Sequence, residues 1–320
     1  MSSVSVIVTC YNEEKYIGEA IKSVLHQSCY DNISEIIVVD DGSVDNSEEV
    51  IRGWEDRCDK LRYVHQENQG LPGARNTGIE RCSGDFIALL DGDDIWLEHR
   101  LERQLQFVDS LKDVGLVYSD RYVFRDDVDN RRRRYANRYK YSDEDVLRKL
   151  FVNGGPIPPS TTLINHGCFD TVGLFDTDLL QAQDTDMWLR IISEYPIHHI
   201  PEPLILKRQR SDSLGADIEE KAQYLLQVTE KIADRYPELD RLKHRRKGKI
   251  YGGVARNLTV AGVRRKAVQA ALQAITHDFY APRHYATLIF TLLPASHHQL
   301  QVLRSLIQEA KSSLQNFVRL

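Results

Sequence analysis

"IALLDGDDIWL", residues 87–97, begins as a buried strand and ends as an acidic loop. The apolar run Ile87–Leu90 is short and bounded, the pattern of a strand covered on both faces. It stops at Asp91, and Asp93 and Asp94 follow at once. Crowded carboxylates repel one another, and the arrangement makes sense where a divalent cation shares the spot.

Outward from this stretch the chain alternates strand and helix signals. "VSVIVTC" and "SEIIVVDD" are β-branched runs of strand length. Between them Tyr16, Ile17, Ala20, Ile21, Val24 and Leu25 recur at helical spacing, with Asn12 as a candidate cap. Helix 46–56, strand 61–65, helix 72–82, strand 85–90 and helix 98–111 are expected next. This βαβαβ rhythm predicts an α/β fold: a mostly parallel sheet flanked by helices, with right-handed crossovers. Ligands of such sheets bind beyond the carboxyl ends of the strands. Those ends carry Thr9, Tyr11, Asn12 and Glu13 after the first strand, Asp40 and Asp41 after the second, and the Asp91–Asp94 group. A lone acid after a strand is often only a helix cap; two acidic clusters on one edge point to a ligand.

Further along, "VGLVYSDRYVF" reads as a strand, "VNGGPIPPSTTLIN" as a Gly/Pro-rich loop, and "QDTDMWLRIISEY" as a helix starting near Asp184 or Asp186. Acids at a helix start also complement its dipole. "PIHHI" and "PLILKRQ" read as two short strands. His198 and His199 are adjacent on a strand and point to opposite faces, which argues against a shared metal. From about residue 216 the pattern is helical throughout. The expected division is therefore a catalytic domain at 1–215 and an all-helical C-terminal extension at 216–320.

The bulk numbers exclude several classes. The 320 residues carry a net charge of −5, so no global positive field draws the chain to nucleic acid. "RRRR" at 131–134 is read as a solvated loop or a contact for an anionic partner. The five cysteines stand singly, which argues for reduced thiols and a cytoplasmic setting. The N-terminus reads as a strand and not a signal peptide. The apolar stretch "YATLIFTLLP" is too short to span a bilayer. Peripheral contact at the inner face of a membrane stays open.

Five elements in order ("VSVIVTCYNEEKYIGEAIKSVLHQS", "IIVVDDGSVDNS", "ENQGLPGARNTGI", "GDFIALLDGDDIWL" and "QDTDMWLRI") resemble a family 2 glycosyltransferase with a GT-A nucleotide-sugar-binding fold. The resemblance covers roughly residues 3–215. It implies that Thr9, Tyr11 and Glu13 hold the nucleoside, and that Asp41, with Asp40 beside it, hydrogen-bonds the base or ribose. It puts Arg75 close to the phosphates. Asp91-Gly92-Asp93 matches the family's DxD motif, with Asp91 toward the ribose and Asp93 toward Mg²⁺ or Mn²⁺ on the diphosphate. Asp94 is expected to be structural. Asp184 matches the catalytic base, with Asp186 as its rival. The implied activity is inverting transfer from a nucleotide-diphosphate sugar, UDP-sugars being the common choice, to a hydroxyl. The acceptor would be a saccharide or lipid-linked sugar, as in polysaccharide or cell-envelope synthesis.

Two departures stand out. Gln183 replaces the Glu that often precedes the base, and Arg210 stands where many members have a histidine. Arginine cannot ligate a cation but can pair with a diphosphate. These departures leave open a catalytically degenerate nucleotide-binding module. A phosphotransfer enzyme is the more remote alternative: it would need a downstream lysine and acid pair.

Overall fold

The computed structural model describes residues 2–111, 113–125, 128–134, 146–154, 157–209 and 218–292. Within these, strands β1 (Val4–Cys10), β2 (Ile33–Asp40), β3 (Leu61–His65), β4 (Phe86–Asp91), β5 (Ile95–Trp96), β6 (Leu116–Phe124), β7 (Arg132–Arg134), β8 (Thr162–Asn165) and β9 (Ile197–Arg208) form one mixed sheet. Its order is β3-β2-β1-β4-β8-β6-β9-β5, with β7 annealed to β6. The first four strands are parallel, whereas β8 runs antiparallel to both β4 and β6.

The β-branched runs form β1 and β2 because both faces of each strand are covered. Val4, Val6 and Val8 enter one apolar layer with Ile17, Ile21 and Val24 of α1 (Ile17–Leu25) and Ile51 of α2 (Ser47–Glu55). Ile7 enters the opposite layer with Ile87, Leu89, Met187 and Trp188. That is the period-two consequence of strand geometry, applied to two buried faces. Helix α3 (Gly70–Ile79) crosses from β3 to β4, and α4 (Arg100–Asp109) follows β5.

The expected adjacency of the acidic strand ends is found. β1 lies between β2 and β4, with Cys10 opposite Asp40 and Thr9 opposite Asp91.

Three local expectations change. Asn12 does not cap α1, whose N-cap is Tyr16 without a side-chain bond. Asn12 instead takes a left-handed conformation, φ 55°, and its Oδ1 accepts the Val44 amide at 2.9 Å. "PIHHI" and "PLILKRQ" are one strand, β9. The register shift opposite Asp120 absorbs Pro201 and Glu202, as a bulge lets a proline-bearing strand continue. "RRRR" is not a loop: Arg132–Arg134 pair antiparallel with Arg121–Val123 of β6, and Arg131 stacks 5.1 Å from the Tyr122 ring.

Among the described residues four further α-helices lie before residue 236: α5 (Val146–Asn153), α6 (Cys168–Val172), α7 (Gln183–Glu194) and α8 (Ile218–Arg235). They are followed by α9 (Lys243–Val260), α10 (Arg264–His277) and α11 (Pro282–Leu292). The chain separates into two compact units, Met1–Ala216 with Glu230–Leu239, and Asp217–Thr229 with Asp240–Leu320, so the division falls inside α8. The second unit packs through small residues: Ala255, Ala267 and Ala271 are fully buried, and Val254 and Leu258 fill between them. All five cysteines are free thiols. Among the described residues no helix is long and apolar enough to cross a membrane.

Candidate active site

The loops after β1 and β2 are stitched together by short polar side chains. Ser43 Oγ accepts the Asn12 amide at 2.9 Å, Ser47 Oγ the Glu13 amide at 2.9 Å, and Asp45 Oδ2 the Glu14 amide at 3.0 Å. In return Glu14 Oε2 accepts the Asn46 amide at 3.1 Å. "YNEE" and "DDGSVDNS" thus form one rigid lip, because Ser, Asp and Asn satisfy nearby backbone amides that no strand or helix reaches. Burial pushes the Asp45 carboxyl up, but the bonds from Ser47 and the Glu14 amide outweigh it and hold it below the usual range.

The glycine of Asp91-Gly92-Asp93 has a steric reason. A side chain at Gly92 would collide with Glu13 Oε2 and lie 2.7 Å from the Thr9 carbonyl oxygen, which accepts the Gly92 amide at 2.9 Å. Only glycine lets the end of β4 pass this close to the end of β1.

The acids around it differ in their partners. Asp91 Oδ1 accepts Arg75 Nη2 at 2.8 Å, and Lys207 Nζ lies 3.5 Å from Oδ2. Burial raises the Asp91 carboxyl, yet Arg75 and Lys207 outweigh it and hold it below the ordinary range. Asp94 is wholly buried: Oδ1 accepts the Arg208 amide at 3.0 Å, and Oδ2 accepts Ser160 Oγ at 2.6 Å and Lys207 Nζ at 3.1 Å. It is structural, as expected. Burial works against the Lys207 charge, but Asp94, Asp91 and Asp93 drive its ammonium above the ordinary lysine value. Arg208 Nε donates to the Asp93 carbonyl at 3.1 Å and Nη2 to Glu19 at 2.6 Å, and its plane lies 4.5 Å from the Tyr16 and Phe124 rings.

These groups surround a cleft of about 480 Å³ lined by Thr9, Tyr11, Glu13, Asp41, Asp91 and Asp93, with Lys207 joining them. Tyr11 is 49% exposed, so its ring is open to a ligand. Asp41 Oδ1 accepts Gln66 Nε2 at 2.6 Å and the Gln69 amide at 2.9 Å; among the described residues its Oδ2 has no hydrogen bond. Asp40 is not on the cleft wall. It is 1% exposed, and its oxygens accept Tyr63 Oη and the Ser43 amide, both at 2.9 Å. Arg75, 1% exposed, stands behind Asp91 and faces the cleft only through it.

Asp184 sits in the first turn of α7, which the left-handed Ala182 (φ 63°) leads into. Trp188 anchors that helix by donating Nε1 to the Ile157 carbonyl at 2.9 Å. Asp184 Oδ1 accepts the Thr185 amide at 2.7 Å, and its Oδ2 has no hydrogen bond among the described residues. Leu180, four residues earlier, lies 3.3 Å from where a methyl on the cleft residue Gly70 would be. Asp186, the rival, is wholly buried between Arg190 at 2.7 Å and Lys231 at 3.0 Å, out of reach of a substrate. His199 pairs with buried Asp120 at 2.9 Å while His198 packs on Phe107, so the two histidines do diverge. Gln183 is buried, and Arg210 lies outside the described residues.

Reading by motif missed Lys207, Arg208 and Ser160. The available signal was "LILKR", an apolar strand ending in charge just as "IALLDGD" does, with the opposite sign.

A divalent cation fits this donor set. Asp91 and Asp93 offer hard oxygen ligands at the cleft wall. Among the described residues no group of three or more His, Cys, Asp or Glu is disposed to cage an ion. Mg²⁺ and its analogues commonly take only one or two carboxylates and complete their shell with phosphate oxygens and water.

Comparison with known proteins gives the family. Residues 5–173 match the profile "Glycosyl transferase family 2". An uncharacterized glycosyltransferase of Rickettsia felis is 35% identical over 219 residues, 65% of this chain and 34% of that protein. One from Methanocaldococcus jannaschii is 31% identical over 206 residues, 64% of this chain and 69% of that protein. The match thus spans about a third of the length of the Rickettsia felis relative. Among solved structures, Staphylococcus aureus TarS superposes with a TM-score of 0.60 at 15% identity, covering 89% of this chain and 54% of that one. The mannosyltransferase PcManGT from Pyrobaculum calidifontis, in complex with GDP-Man and Mn²⁺, gives 0.57 at 20% identity, covering 91% and 86%. These likenesses show the GT-A fold. With its profile match covering more than half of the sequence, this chain belongs to glycosyl transferase family 2.

Proposed function

We propose that this protein transfers a sugar from a nucleotide-diphosphate donor, most simply a UDP-sugar, to a hydroxyl of a saccharide or lipid-linked acceptor, inverting the anomeric carbon. The observation that carries the reading is the cleft at the carboxyl ends of β1, β2 and β4, lined by Tyr11, Asp41, Asp91 and Asp93. Its companions support it: TarS is described in complex with UDP and with UDP-GlcNAc, and PcManGT with GDP-Man and Mn²⁺.

On this reading the exposed Tyr11 ring packs on the base, and the open Oδ2 of Asp41 accepts a hydrogen bond from base or ribose. Arg75 positions Asp91 from behind. Asp93, with Asp91, would hold Mg²⁺ or Mn²⁺, which when bound neutralises charge on the leaving diphosphate. Asp184 Oδ2 takes the acceptor proton. Carboxylates are weak bases, so the proton moves late, as the new C–O bond forms. A single base opposite the leaving group gives inversion.

The test is turnover with UDP-, GDP- and dTDP-sugars, scored by release of nucleoside diphosphate. Asp184→Asn is expected to lower kcat by ~10²–10⁴-fold with the donor Kd unchanged. Release of pyrophosphate, or donor binding without any turnover in wild type, would overturn the transferase reading; the second result would favour a degenerate binding module.

A further inference from the structure

The cleft answers its own carboxylates with a cation. Lys207 ends the apolar run of β9; its side chain is 32% exposed and it is one of the residues lining the cleft. Two of its directions are taken, by Asp94 Oδ2 at 3.1 Å and Asp91 Oδ2 at 3.5 Å. A lysine ammonium has three N–H donors, so among the described residues one is left for a ligand.

Asp94 makes this arrangement deliberate. It is wholly buried, and Ser160 and the Arg208 amide hold it in place, so it offers nothing to a substrate. What it does is aim Lys207. Arg75 and Lys207 stand against Asp91, and Lys207 also against Asp94, so an incoming diphosphate meets cations beside the carboxylates that would repel it. Lysine is a common point-charge binder of phosphate. It also competes with a divalent ion for Asp91.

We propose that Lys207 is a resident counter-cation of the diphosphate subsite: it neutralises Asp91 and Asp94, donates its remaining N–H to a phosphate oxygen, and lets the site hold a nucleoside diphosphate without a divalent ion. The same contact makes the ligand-free site a weaker binder of that ion. The inference rests on the donor reading above.

The experiment is calorimetry of UDP and GDP on the full chain, in EDTA and in Mn²⁺, together with Mn²⁺ titration of the nucleotide-free protein followed by electron paramagnetic resonance. Wild type is expected to bind one nucleotide in EDTA. Lys207→Met should weaken that binding on the order of 10- to 100-fold, the range for a charge-assisted contact, and should tighten Mn²⁺ binding to the free protein. Lys207→Arg should keep the EDTA binding. If Lys207→Met fails to fold, Lys207→Met with Asp94→Asn removes the buried unpaired acid and gives the same comparison. Wild-type binding only in Mn²⁺, or unchanged EDTA binding in a variant whose Tm alone has dropped, would overturn the inference and leave the donor reading intact. No binding of either nucleotide, even in Mn²⁺, would overturn both.

Discussion

At the end of β2 the acids are met by neutral donors: Tyr63 Oη and the Ser43 amide on Asp40, Gln66 and the Gln69 amide on Asp41. His65, half exposed, lies 4.0 Å from Asp40. At the end of β4 the acids are met by cations, Arg75 on Asp91 and Lys207 on both Asp91 and Asp94. The strands differ little in sequence, since each is an apolar run closing on aspartates and a glycine. The partners make one end suited to a neutral, hydrogen-bonding ligand part and the other to a charged one. A nucleotide-diphosphate has both parts, and β1 lies between the two ends.

The sharpest way to break this contrast is to delete one partner from each side. Arg75→Met strands Asp91 beside Lys207 alone and is expected to cost about 3–5 kcal/mol in urea unfolding, as removal of one member of a buried ion pair does. Tyr63→Phe removes a neutral donor from Asp40 and should cost about 1–2 kcal/mol. Equal costs would mean that the two ends are electrostatically alike.

Binding sharpens it next. Asp93→Ala should erase the gain in UDP affinity that Mn²⁺ brings, while Asp41→Ala should weaken UDP by about tenfold whether or not Mn²⁺ is present. Calorimetry with and without Mn²⁺ separates the two patterns. A metal-dependent loss in Asp41→Ala would merge the two ends into one site.

The smallest effect is in acid. Asp45 in the lip has a folded pKa below its unfolded value. Its contribution to stability is therefore present above the unfolded value of about 3.9 and drains as pH falls through the lower folded value. Between pH 5 and 3, the urea midpoint of Asp45→Asn should fall less steeply than that of wild type. An identical slope would mean that the lip is not held by this carboxylate.

Much of the first half was legible because its signals are local. Runs such as "VSVIVTC" have the composition of doubly covered strands, and Asp-Gly-Asp stands out against the apolar run before it. The second half hid more. Pro201 and Pro203 made β9 look like two strands, and only its pairing with β6 shows how a bulge carries it past them. Asn12 looked like a helix cap because the residue type fits; its partner, Val44, lies 32 positions away. Asp184 and Asp186 could not be separated by residue type, and burial between Arg190 and Lys231 separates them.

What the sequence determined by itself was the alternation of strands and helices, the acidic strand ends and the family, all carried by short-range pattern. What tertiary structure decided was charge balance. Lys207 meets Asp94 across 113 positions of chain, and Ser160 reaches it across 66. No spacing rule encodes such meetings. They follow from the order of strands in the sheet, which brings the ends of β4 and β9 to one cleft, where a single lysine stands against both Asp91 and Asp94.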